Sequence, residues 1–175
     1  KNGTVDCIIS AMPGTMDRQD SLEFSNKYYT TNLTIVVKKD SAYANATSME
    51  EISGIKVTSK DDSTHATITN QTQGLDKQAN SKTYTEMITR LTEGTVDGFV
   101  ADVASAKAIV ALHPEFTYIN FAEGKGFELE ESYKAIRIGV KRNSKLLEKI
   151  NEIVDGISVE EQENLMNAAI ANQPK

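Results

Sequence analysis

Arg18 is the first residue in the chain whose chemistry stands out. It follows an apolar run, Val5-Asp6-Cys7-Ile8-Ile9-Ser10, and a Pro13-Gly14 break, within Thr15-Met16-Asp17-Arg18. A guanidinium just beyond a strand suits a carboxylate, which it grips with two parallel N–H···O bonds. The same Arg also suits a surface helix, paired with Asp17 or Asp20. Asp102 follows a second apolar run, Val96 to Ala101, and opens a helical segment. It reads as a helix N-cap, or as an anion placed to meet an ammonium group. The two roles are compatible because a carboxylate has two oxygens. Between these residues, Asp61-Asp62-Ser63-Thr64 precedes a polar helical stretch. It reads as a cap or turn, or as hydroxyls and a helix N-terminus offered to a ligand carboxylate, which the two aspartates oppose.

His65 and His113 have no partner at a spacing that suggests a relay. G-x-S-x-G, H-E-x-x-H, Walker A and G-x-G-x-x-G patterns do not occur. The chemistry on offer is binding rather than catalysis. Cys7 is the single cysteine, which excludes an internal disulfide and a Cys-rich zinc site. No metal and no cofactor is expected.

The chain has 175 residues, a net charge of −6, 39% hydrophobic and 25% charged residues. That suits one globular domain or two small lobes. The acidic balance lacks the basic stripe of a nucleic-acid binder, so no nucleic-acid partner is expected. No apolar run approaches the ~18–20 residues that cross a bilayer. The chain opens on Lys1 without Met or a signal peptide and runs at once into a strand-like segment, so a piece of a longer exported chain is expected.

The positioning elements alternate between strands and helices. Val5 to Ser10 reads as a strand buried on both faces. Strands follow at Leu33 to Val37, Ile55 to Ser59, Val96 to Ala101, Phe116 to Phe121 and Ile136 to Lys141. Ser48-Met49-Glu50-Glu51 is a capping box opening a short helix that Gly54 closes. Tyr84, Met87, Ile88 and Leu91 line one face of a helix ended by Gly94. Val103 to Leu112 reads as a helix, ended at His113-Pro114. Leu146, Leu147, Ile150, Ile153 and Val154 make another apolar stripe, and Ser158-Val159-Glu160-Glu161 caps a last helix. The pattern predicts an α/β fold with a largely parallel sheet.

One motif occurs twice. Gly3-Thr4-Val5-Asp6 and Gly94-Thr95-Val96-Asp97 are identical, and an apolar run follows each. Such junctions recur in α/β proteins. They also suit two similar lobes, each with its own parallel sheet, in which Ala11 and Asp102 hold equivalent places at the strand ends.

These residues resemble the bacterial extracellular solute-binding proteins of amino-acid ABC transporters. Val5 to Met12 with Thr15-x-x-Arg18 is similar to the signature of lobe one in that family. Phe24-Ser25-Asn26-Lys27-Tyr28-Tyr29, Gly54-Ile55-Lys56-Val57, Ser63-Thr64, Gly94-x-Val96-Asp97 to Asp102, and Ile138 to Asn143 continue the likeness. The resemblance implies a two-lobe, venus-flytrap α/β fold of the type II periplasmic-binding-protein class, with lobe two complete and lobe one partial. It implies partial lobe one at 1–30, lobe two at 31–136, and the return strand and C-terminal helices at 137–175.

By the same resemblance, Arg18 grips the α-carboxylate of a free amino acid and Ala11 offers its carbonyl to the α-ammonium. Thr15 supports the loop. Ser63 and Thr64 add contacts to the carboxylate, and Asp102 pairs with the ammonium. A zwitterion held away from water needs such a cation and anion. Two positions depart from the family. Asp62 stands where glycine is usual, and Pro13 where a small hydroxyl residue is usual. The acidic pair 61–62 would favour a cationic ligand such as lysine or arginine. The implied partner is a membrane permease, and the implied location is extracytoplasmic, with a tether outside this chain. The alternatives are a ligand-sensing domain of a receptor and a dehydratase-type enzyme on the same scaffold.

Overall fold

The computed structural model describes residues 4–173. Gly3 of the repeated motif and Pro174 lie outside the described residues. The chain forms two compact units. One is made of the described residues up to Thr31 together with Leu129–Asn172, and the other runs from Asn32 to Glu128 and takes in Gln173.

The first unit opens with β1 (Cys7–Pro13), α1 (Met16–Gln19) and β2 (Leu22–Thr30). The second holds β3 (Leu33–Lys38), a 3-10 turn (Glu50–Ile52), β4 (Lys56–Thr58), α2 (Thr64–Gln71) and β5 (Asp76–Lys77). It continues with α3 (Tyr84–Glu93), β6 (Gly98–Asp102), α4 (Val103–Leu112) and β7 (Phe116–Tyr118). The first unit resumes with α5 (Glu131–Lys134), β8 (Ala135–Lys141), α6 (Leu146–Asp155) and α7 (Val159–Ala171). The return falls at Leu129 rather than at 137, because α5 packs against β1 and β8.

The sheet of the second unit has the order β5-β4-β6-β3-β7. β4 is parallel to β5 and β6, while β3 is antiparallel to β6 and β7. Four strands therefore share one direction and β3 alone runs against them. Parallel neighbours need a crossover, which α3 supplies between β4 and β6. β3 has none behind it, because the chain enters it directly from β2. The largely parallel sheet read from the sequence is thus a mixed one.

The core of this unit gathers Val36, Met87, Leu91, Phe99, Ala106 and Phe116. α3 forms as its stripe predicts. The Thr83 hydroxyl accepts the Glu86 N–H at 3.1 Å, capping the helix, and the Glu86 carboxylate accepts the Lys82 N–H at 2.8 Å just before it. Gly94 ends the helix at φ 73°. Arg90 ties α3 to the sheet, donating to Thr58 Oγ1 at 3.0 Å, the Ala79 carbonyl at 2.6 Å and Ser81 Oγ at 3.0 Å. Asp97 reaches across to β4, where its carboxylate accepts the Lys56 N–H at 2.9 Å.

The first unit corrects two expectations. Its sheet, β1-β8-β2, is antiparallel throughout. β1 is an edge strand, and Ile9 is 63% exposed, so the apolar run at its start is not buried on both faces. β6 is central and buried, so the repeated motif opens two strands in different environments. The two C-terminal helices form, and the Ser158 hydroxyl accepts the Glu161 N–H at 3.2 Å. Of the α6 stripe, Val154 is buried while Ile153 is 58% exposed.

Gly98 of β6 pairs with Val37 of β3. A Cβ there would lie 2.5 Å from Ile35 Cγ2 and 2.9 Å from the Val36 carbonyl oxygen. Gly98→Ala is therefore expected to lower the unfolding free energy by about 1–3 kcal/mol, read as a lower urea midpoint at unchanged slope.

Candidate functional site

β4 and β6 lie side by side and parallel, with Thr58 opposite Phe99. Their carboxyl ends therefore open on the same edge of the sheet, where α2 and α4 begin. Ligands in α/β sheets bind beyond such ends. This edge brings Ser63, Thr64 and Asp102 into one region.

Asp102 caps α4. Its Oδ1 accepts the Ser105 N–H at 2.8 Å and its Oδ2 accepts the Ser105 hydroxyl at 2.6 Å. Both oxygens retain accepting capacity, since a carboxylate offers about four lone-pair sites. The residue is partly buried. Among the described residues it has no ion pair. Its charge is felt nearby. Burial first, and Asp102 second, push the Tyr84 hydroxyl pKa up to about 12, with a hydrogen bond to Ser105 opposing them. Tyr84 therefore stays neutral at any ordinary pH. Burial is also the main cause that lowers the His65 pKa, with Asp102 raising it and Lys60 lowering it.

Ser63 caps α2, accepting the Ala66 N–H at 3.3 Å, and its hydroxyl donates to the Lys60 carbonyl at 2.5 Å. The Ser63 side chain is thus engaged in holding the turn. Thr64 is the first residue of α2 and partly buried.

Asp62 adopts φ 50°. This is the left-handed region, which glycine enters freely and Asp tolerates better than most side chains. The backbone conformation explains why the family resemblance leads one to expect glycine here. It also turns the Asp62 departure into a conservative one for the fold.

In the first unit, Arg18 is partly buried, and its Nη1 donates to the Pro13 carbonyl at 2.9 Å. Among the described residues it forms no ion pair with Asp17 or Asp20, so it is not a surface pair of the simple kind. Thr15 is 8% exposed. Its carbonyl accepts the Arg18 and Gln19 N–H groups, each at 3.1 Å, and so organises the turn that carries Arg18. Ala11 has φ 49° and lies between Ile8 and Met12, where the β1–β8 register shifts. It sits inside a strand rather than at its end, and so does not match the place of Asp102. Such positive-φ residues cluster at functional sites. Burial pushes the pKa of Tyr28 up, against a hydrogen bond from the Ala11 backbone.

His65, Tyr84 and Ser105 surround Asp102 without being marked as site residues by the sequence. Ser105 was detectable, because Asp-x-x-Ser from position 102 has capping spacing. Tyr84 read as one member of an apolar helix face. His65 lacked relay spacing, and its link to Asp102 crosses two elements. Among the described residues no cluster of three metal-ligating side chains occurs. No helix among them is long and apolar enough to cross a membrane.

Asp102→Ser keeps an N-cap and removes the charge, while Asp102→Ala removes both and is expected to cost about 1 kcal/mol more in chemical denaturation. Asp62→Val is expected to be about 1–2 kcal/mol less stable than Asp62→Gly, because a β-branched residue pays the full left-handed cost.

Residues 1–168 match the bacterial extracellular solute-binding proteins, family 3. A curated relative, "Probable histidine-binding protein" of Campylobacter jejuni, is 28% identical over 131 residues. That alignment takes in 73% of this chain and 49% of the relative, so the chain spans about half the length of the curated protein it matches. Among solved structures, an arginine-bound, truncated form of ArgBP from T. maritima is 26% identical with a TM-score of 0.71, covering 89% of this chain and 69% of that one. The L-arginine-bound amino-acid ABC transporter substrate-binding protein AbpA from Streptococcus pneumoniae shares the fold at a TM-score of 0.78 and 24% identity, covering 97% and 69%. The chain belongs to the bacterial extracellular solute-binding proteins, family 3.

Proposed function

We propose that this member of solute-binding family 3 supplies the binding groups for one free amino acid, which the whole protein delivers to the permease of an ABC transporter. The observation that carries the reading is Asp102. It is a partly buried carboxylate at the ligand edge of a sheet, and among the described residues no cation pairs with it. Removing a charge from water without a partner is costly. A ligand ammonium would supply that partner.

The remaining groups follow from the same logic. Arg18 grips the ligand carboxylate, because one of its five donors is held by Pro13 and the guanidinium keeps others for a fork. Ala11 offers a carbonyl to the ammonium from the shifted part of β1. Thr15 holds the turn beneath Arg18. Thr64 contributes its hydroxyl or N–H at the start of α2. Ser63 acts through its N–H, since its hydroxyl serves the cap. The ligand class is a cationic amino acid, in keeping with the arginine bound to the two structural relatives and with the acidic pair at 61–62. The protein works outside the cytoplasm, tethered at the membrane.

A thermal-shift screen of the twenty amino acids on the full-length protein tests this. A ligand at 100 times its Kd is expected to add about 2.7 kcal/mol. L-arginine, L-lysine or L-histidine should raise the Tm, and Arg18→Ala and Asp102→Ser should each abolish the rise. A flat response to all twenty would overturn the proposal, and a rise that survives both substitutions would overturn the site.

A further inference from the structure

β5 and the chain after it run beside β4, and the two fall out of step just before the turn that opens α2. Asp76 and Gln78 donate their N–H groups to the Ile55 and Val57 carbonyls at 2.9 and 2.8 Å, so each chain advances by the same amount. In step, the next donor, to the Ser59 carbonyl, would be Asn80. The donor is Ser81, at 2.9 Å. The pairing agrees: Val57 stands opposite Lys77, but Lys60 stands opposite Ser81. The outer chain therefore carries one extra residue between Lys77 and Ser81, a β-bulge. Bulges re-aim whatever follows them.

Arg90 of α3 fastens this bulge. The Ala79 carbonyl accepts the Thr58 hydroxyl at 2.9 Å and Arg90 Nη1 at 2.6 Å. The same Arg90 nitrogen donates to Thr58 Oγ1 and Ser81 Oγ, each at 3.0 Å. Thr58 and Ser81 are buried. Among the described residues Arg90 has no ion pair, so the bulge is what its guanidinium serves. The turn lies directly beyond. The Ser81 carbonyl accepts the Asp61 N–H at 2.8 Å, and Asn80 Nδ2 donates to Asp61 Oδ1 at 3.4 Å. Asp61 leads through Asp62, at φ 50°, to the Ser63 cap and Thr64.

We propose that Arg90 is a positioning residue for the ligand-binding turn 61–64. It holds the extra residue in place, and with it the register in which Ser81 meets Asp61. Without it the outer chain can slip into step, which sets Asn80 opposite Lys60 and takes the Ser81 carbonyl away from the Asp61 N–H. The inference rests on the amino-acid reading above for what the turn binds, and adds how the turn is held.

The test uses two readouts on the full-length protein, in variants that keep a cooperative urea transition. The first is amide hydrogen exchange. Arg90→Met keeps the apolar stem and removes the donors, and should speed exchange at Asp61 and Ser81 while Gln78, before the bulge, stays protected. The second is calorimetric affinity for L-arginine, which should fall about tenfold or more in Arg90→Met because the turn is misplaced. Deleting Ala79 from Arg90→Met removes the extra residue and should restore both readouts. Lys38→Met removes a different tie to α3, from Lys38 Nζ to the Thr92 carbonyl at 2.9 Å, and should change neither. Unchanged Asp61 exchange in Arg90→Met, or an equal loss in Lys38→Met, would overturn the proposal and reduce Arg90 to a helix anchor. A folded deletion variant that recovers neither readout would overturn it too. If the deletion variant does not fold, the contrast between Arg90→Met and Lys38→Met decides alone. If L-arginine, L-lysine and L-histidine all fail to bind the wild type, the amino-acid reading fails, and exchange at Asp61 still decides whether Arg90 holds the turn.

Discussion

The second unit depends on how closely β6 can lie against β3. Gly98 has no side chain where β6 meets Ile35 and the Val36 carbonyl, and this lets the two strands pair over their whole overlap, from Leu33 opposite Asp102 to Val37 opposite Gly98. Phe99, Val100 and Ala101 are then fully buried. A strand held so tightly carries Asp102 to a fixed place at the sheet edge. β4, parallel to β6, brings the start of α2 to the same edge. Burial of apolar surface is thus what holds the polar groups in position.

Asp102 joins a structural role to an electrostatic one. Its two bonds to Ser105 close the start of α4, and its charge reaches Tyr84 and His65 on two other elements. The surroundings are arranged so that neither neighbour neutralises it at neutral pH. Tyr84 is a poor acid there and His65 a poor base, both chiefly through burial. Among the described residues no cation pairs with it. The first unit works differently. Backbone carbonyls hold Arg18 in place, with Pro13 accepting from its side chain and Thr15 from its main chain. Neutral acceptors hold the cation in place without compensating its charge.

The local elements were legible in the sequence wherever one signal settled them. Tyr84, Met87, Ile88 and Leu91 gave a helix and Gly94 its end, because i, i+3, i+4, i+7 spacing marks one helix face. Val103 to Leu112 formed as read. β1 departs from the sequence expectation for an identifiable reason. An apolar run records what a strand could bury, and only its neighbours decide whether it does; here β8 is its one strand partner. The direction of β3 was hidden for the same reason, since pairing is a property of the assembled sheet.

Residue types and short spacings determined the chemistry available to this protein. They made Asp102 a cap with a charge to spare, made Ser63 the start of a helix, and made Arg18 a cation just past a strand. These effects act over a few residues along the chain. The tertiary structure decided which groups feel one another. It placed His65 of α2 and Tyr84 of α3 within reach of Asp102, buried one ring nitrogen of His65 without a partner, and set Asp62 in a backbone region that favours glycine. Such couplings arise from electrostatics, burial and chain direction in three dimensions. Spacing along the sequence carries no record of them.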